Sequence, residues 1–85
     1  MLRFEHDPEA DAVYIQLRDL PYSHGTNLDD SRRLDFGPDN LPIGIELLDV
    51  SLGVNLEGLP RSAAVKKLLA EHGVKVLASA TGPGS

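Results

Sequence analysis

Apolar and polar residues alternate with period two through the first half of the chain. Over residues 1–6 the alternation places Leu2, Phe4 and His6 on one face of a strand. Asp7-Pro8 ends that strand, because proline has no N–H to donate and restricts the residue before it. Residues 12–19 alternate again, with Val13, Ile15 and Leu17 inward and Tyr14, Gln16 and Arg18 outward. Leu20-Pro21 marks the next turn. Residues 22–28 form a weaker, polar pattern that predicts a strand at an edge. The chain bends at Asp29-Asp30, and residues 32–36 then put Leu34 and Phe36 inward. Gly37-Pro38-Asp39-Asn40 is a strong turn signal. Ile43, Ile45 and Leu47 share one face of a further strand, which tolerates Pro42 only at its first position.

The period changes in the second half. Val65, Leu68, Leu69 and His72 follow helical spacing, with Lys66, Lys67 and Glu71 on the wet side. Pro60 suits the first turn of this helix and Gly73 a left-handed cap at its end. Residues 74–77 add a short strand or cover for the sheet. Short links between strands favour antiparallel neighbours over parallel crossovers. The predicted fold is therefore α+β: a four- or five-stranded antiparallel meander with one C-terminal helix packed on one face. Residues 1–78 are read as a single small domain and 79–85 as a small, polar, flexible tail. Tyr14 and Leu48 fall on the outward face of the sheet by parity. We expect them in a partner interface, most simply that of a homodimer.

Composition sharpens this picture through charge. The chain carries 13 acids against 8 Lys and Arg, a formal net charge of −5. Residues 1–42 hold nine of those acids against four arginines, so the sheet-forming half carries the excess. Such a surface repels phosphate backbones and anionic headgroups, so neither nucleic acid nor membrane is an expected partner. With no cysteine there is no disulfide, thiolate nucleophile or cysteine-bound zinc. No apolar run approaches the roughly 18–20 residues of a membrane span, and no secretory leader is visible. The expected address is the cytoplasm.

Candidate chemistry concentrates in His6-Asp7-Pro8-Glu9-Ala10-Asp11. Its imidazole and three carboxylates offer nitrogen and oxygen ligands to a divalent metal or small molecule, with Glu46 a further carboxylate if its strand lies adjacent. A calcium loop starting at Asp7 would need a glycine and a closing glutamate where Ala12 and Arg18 stand, so that motif fails. The plainer reading has Asp7 and Asp11 accepting backbone N–H bonds in a tight turn and Glu9 solvated. His24 and His72 lie on other elements without zinc-ligand spacing. No nucleophile elbow or phosphate-binding loop occurs, so no catalytic residue and no cofactor is assigned. Arg32-Arg33, flanked by Asp29, Asp30 and Asp35, reads as a locally neutralised strand.

Two blocks carry a resemblance. Asp7-Pro8-Glu9-Ala10-Asp11-Ala12-Val13-Tyr14-Ile15 resembles the opening signature Tyr-Asp-x-Glu-Ala-Asp-Ala-Leu-Tyr-Ile of a small bacterial and archaeal domain of unknown function. Ile43-Gly44-Ile45-Glu46-Leu47-Leu48-Asp49-Val50-Ser51 resembles its closing one, Val-Gly-Ile-Glu-Ile-Leu-Asp-Ala-Ser. The likeness covers residues 1–52. His6 stands where the family usually has tyrosine, and Gly37-Pro38-Asp39-Asn40 replaces its Asp-Glu-Asp-Gly turn. Members are often encoded beside other small proteins in arrangements like toxin–antitoxin pairs. The resemblance therefore implies a fold and a partner, and no catalytic residue.

Three functions compete on this basis. The first is a protein-interaction module, an antitoxin-like partner or regulator of a small basic protein encoded nearby. The second is a divalent-metal or small-molecule binding protein, up to a hydrolase, using His6, Asp7, Glu9, Asp11 and Glu46. The third is a dimerisation domain with no separate activity.

Overall fold

A computed structural model describes residues 2–77. Met1 and the tail expected over 79–85 lie outside the described residues. The fold is α+β, with five strands followed by one α-helix. The strands are β1 (Arg3–Asp7), β2 (Ala12–Gln16), β3 (His24–Asp29), β4 (Arg32–Phe36) and β5 (Pro42–Leu48). A short 3₁₀ turn, Val50–Leu52, and the helix α1, Ser62–Glu71, come after them. The chain divides into two compact units between Asp49 and Val50.

The first unit is an open antiparallel sheet in the order β1-β2-β5-β4-β3. A β1–β2 hairpin and a β3–β4–β5 meander are joined where β2 pairs with β5. Three links therefore connect neighbours, and the fourth, residues 17–23, carries the chain from β2 to the far edge. That step covers three strand spacings, roughly 14 Å. Seven extended residues reach about 23 Å, so the link suffices. The Leu17 and Arg18 N–H groups donate to Ile43 O, and the Ser23 N–H donates to Phe36 O as β3 begins. The polar pattern of residues 22–28 fits this location, since an edge strand buries least.

Register follows the alternation. Phe4, Ile15, Ile45 and Leu34 stand opposite one another across four strands. Val13 and Leu47 form part of the next row. Val13, Ile15, Ile45 and Leu47 are fully buried, whereas Phe4 at the edge is half-buried and His6 is exposed. Asp and Asn residues shape the turns. Asp7 Oδ1 accepts the Ala10 N–H between β1 and β2. Asp29 Oδ1 accepts the Ser31 N–H between β3 and β4, and Asp39 Oδ1 the Leu41 N–H between β4 and β5.

The second unit contains α1, whose buried residues are Val65 and Leu69. The helix starts two residues later than Pro60 predicts. Arg61 is its N-cap and takes a left-handed conformation (φ 52°), which leaves Pro60 outside the first turn. Its end is a Schellman motif: the Gly73 N–H donates to Ala70 O and the Val74 N–H to Leu69 O, with Gly73 at φ 73°. Within residues 74–77 Val76 forms an isolated parallel bridge with Val54. Among the described residues no helix is long and apolar enough to cross a membrane.

Candidate functional site

The face of the sheet opposite the buried isoleucines carries the polar half of the alternation. Its middle row runs Glu5, Tyr14, Glu46, Arg33 and Asn27 across all five strands. The row on one side is Arg3, Gln16, Gly44, Asp35 and Gly25. On the other side Asp7, Ala12 and Leu48 stand opposite one another.

The two glycines of this face are occupied by their neighbours' side chains. A Cβ at Gly44 would collide with the Tyr14 phenol, and one at Gly25 with the Arg33 guanidinium. Tyr14 therefore reaches from β2 over β5 and donates its hydroxyl to Asp35 Oδ2 on β4, at 3.2 Å. Burial of the phenol, followed by the charge and hydrogen bond of Asp35 and the charges of Glu46 and Glu5, pushes its pKa up to about 12. The phenol is thus a neutral donor throughout the physiological range. Arg33 is fixed beside it, donating to Asp35 Oδ1 at 3.3 Å, Asn27 Oδ1 at 3.1 Å and the Tyr22 hydroxyl at 3.1 Å.

Charge on the first unit is unevenly satisfied. Residues 1–49 hold eleven acids and four arginines. Each arginine has a carboxylate of its own: Arg3 with Glu5 at 3.9 Å, Arg18 with Asp39 at 2.8 Å, Arg32 with Asp29 at 2.9 Å and Arg33 with Asp35 at 3.3 Å. Arg32-Arg33 is thus neutralised within its own hairpin. The Glu46 side chain, at the centre of the face, makes no hydrogen bond or ion pair among the described residues.

Glu46 and Leu48 form a ridge between two shallow concavities. One, about 340 Å³, is bordered on the other side by Asn27, Asp29, Asp30, Arg32 and Arg33. The other, about 370 Å³, lies over Ala12 and is bordered by Glu5, Asp7, Tyr14, Glu46 and Leu48. His6 also borders it, although its side chain alternates to the opposite face.

Of the sequence-predicted ligands, His6, Asp7 and Glu46 therefore line one concavity, together with both predicted interface residues, Tyr14 and Leu48. Glu9 and Asp11 lie in the β1–β2 turn and do not line it; Asp11 takes a left-handed conformation there (φ 54°). Among the described residues no three His, Asp or Glu side chains come close enough to hold a metal ion together. His24 stacks on Phe36 at 5.1 Å, and His72 Nδ1 lies 2.9 Å from Leu68 O, both in structural settings.

Sequence reasoning left Gly44, Gly25, Asp35 and Tyr22 unassigned. One signal could have found the first pair: a glycine on the polar side of a strand marks a close approach from a neighbour. A family model described as a protein of unknown function (DUF2283) matches residues 3–51. The match spans the whole sheet and both halves of the Tyr14–Gly44 contact. Comparison with curated proteins and with solved structures finds no match.

Proposed function

The chain belongs to the DUF2283 family, and from its acidic sheet face we propose that it is a protein-interaction module, antitoxin-like in role, that docks a small basic protein. One observation carries the reading. Glu46 stands in the middle of a half-exposed face and makes no ion pair among the described residues, while Arg33 opposite it is paired with Asp35 and the other three arginines of the unit each have a carboxylate. Beside it Leu48 is 40% exposed. An apolar contact flanked by an uncompensated acid and a tyrosine fits a docking surface, where aromatic residues anchor and charge selects the partner. The excess of acids over residues 1–49 steers a basic partner toward this face and repels polyanions.

Co-expression with any small basic protein encoded nearby, followed by size exclusion, tests the role. A stable complex is expected, with Tyr14 and Leu48 protected on binding. A chain that elutes alone, or a gene neighbourhood without a basic protein, sinks the proposal.

A further inference from the structure

The concavity over Ala12 has a construction that specifies more than an acidic surface. Ala12 is the smallest side chain on this part of the face, and longer ones surround it. Asp7 and Leu48 stand opposite it on the neighbouring strands, and Glu5, Tyr14 and Glu46 fill the adjacent row. The depression is therefore built largely by side-chain length on the sheet, with Ala10 of the β1–β2 turn closing one end. Its rim has two chemistries. Leu48 is an apolar wall, and carboxylates border the depression from two strands, Glu5 and Asp7 on β1 and Glu46 on β5.

This arrangement discriminates among cations. A bare metal ion needs its oxygen ligands within about 2.0–2.6 Å of one point. Among the described residues no three acidic or histidine side chains converge in that way. A guanidinium is planar and spreads five N–H donors over a wide fork, so it can reach carboxylates on two strands at once. Its methylene stem lies well against an apolar wall. We propose that the concavity over Ala12 seats an arginine side chain of the basic partner, its guanidinium between Glu46 on β5 and the carboxylates of β1 and its stem against Leu48. The assignment rests on the docking role proposed above and names its anchor.

The test is an NMR titration of the full chain at low salt with a blocked Gly-Gly-Arg-Gly-Gly peptide. The same peptide with citrulline in place of arginine is the control, which keeps shape and removes charge. Saturable shifts confined to Ala12, Tyr14, Glu46 and Leu48 are expected with arginine alone. Ala12→Leu fills the depression without changing charge and removes the saturable response. Glu46→Gln weakens binding by roughly three-fold, the scale of one exposed charge pair. If Ala12→Leu does not fold, Glu46→Gln decides. Three results overturn the assignment: no shifts, equal shifts with citrulline, or shifts spread over the acidic residues at large and unchanged in both variants. A complex with the basic protein that survives Ala12→Leu leaves the docking role standing and removes the arginine seat alone.

Discussion

The Tyr14 phenol occupies the space that a side chain at Gly44 would need. This contact links β2 to β5, the two strands that join the hairpin to the meander. The bare strand position lets the ring lie flat enough to reach Asp35, one strand further on. Gly44→Ala forces the ring to swing and breaks that hydrogen bond. We predict destabilisation of about 1–3 kcal/mol, the usual cost of overpacking. In a Tyr14→Ala background the same substitution becomes neutral or better, because alanine suits a strand more than glycine does. Denaturant midpoints of the two singles and the double measure the coupling.

The Tyr14 hydroxyl reports the same contact through its titration. Phenolate absorbance in a Tyr22→Phe background isolates it. Ionisation is expected near pH 12, because burial and Asp35 disfavour the anion. Asp35→Asn brings the value back toward the ordinary 10 of a tyrosine. The folded pKa is raised, so the folded state holds this proton more tightly than the unfolded chain. Tyr14 therefore contributes stability in full below about pH 10, and the contribution disappears as pH rises through 12.

The acid limb has the opposite sign. The Arg18 hydrogen bond holds the Asp39 carboxyl below its ordinary range, and the Ser31 N–H, with Arg32, does the same for Asp29. Both contributions are present above about pH 4 and fall away as pH drops through the lowered folded values. Arg18→Ala and Arg32→Ala should each flatten the acid side of the stability profile. At neutral pH Arg18→Ala is expected to leave the denaturant midpoint nearly unchanged, since the Asp39 side of its pair is open to water.

Neighbouring residues of β5 should differ sharply. Leu47 is 1% exposed on the apolar face, and Leu48 is 40% exposed on the other. Leu47→Ala is predicted to cost about 2–5 kcal/mol, enough to unfold much of a small domain. Leu48→Ala should cost far less by thermal melting, about 0.5–1 kcal/mol, because its side chain is partly open to solvent and lies outside the buried core. Equal effects would mean that the register of β5 is wrong.

Alternation made the sheet legible because period two fixes a face. Ile15 and Ile45 could be assigned inward without knowing that they are partners. The strand order was less visible. The seven-residue link after Gln16 is long enough to join either a neighbour or the far edge, and only the β2–β5 pairing decides between them. The site was legible by residue but not by geometry. Tyr14, Glu46 and Leu48 stood out singly, whereas the role of Gly44 required the register that places it under Tyr14. Glu9 and Asp11 looked like ligands from their spacing, and the turn carries them away from the face. Spacing along a chain constrains side-chain direction inside strands and helices, and much less inside a turn.

Charge reversal in the proposed complex with a small basic protein tests the interaction face most directly. Glu46→Lys is compared with Glu71→Lys, which makes the same change in net charge on an exposed residue at the end of α1. Affinity is measured by calorimetry at one fixed salt concentration. If the face around Glu46 is the docking surface, Glu46→Lys abolishes binding and Glu71→Lys leaves it nearly unchanged. Equal loss in the two variants would contradict a docking site centred on Glu46 and reduce the attraction to net charge alone.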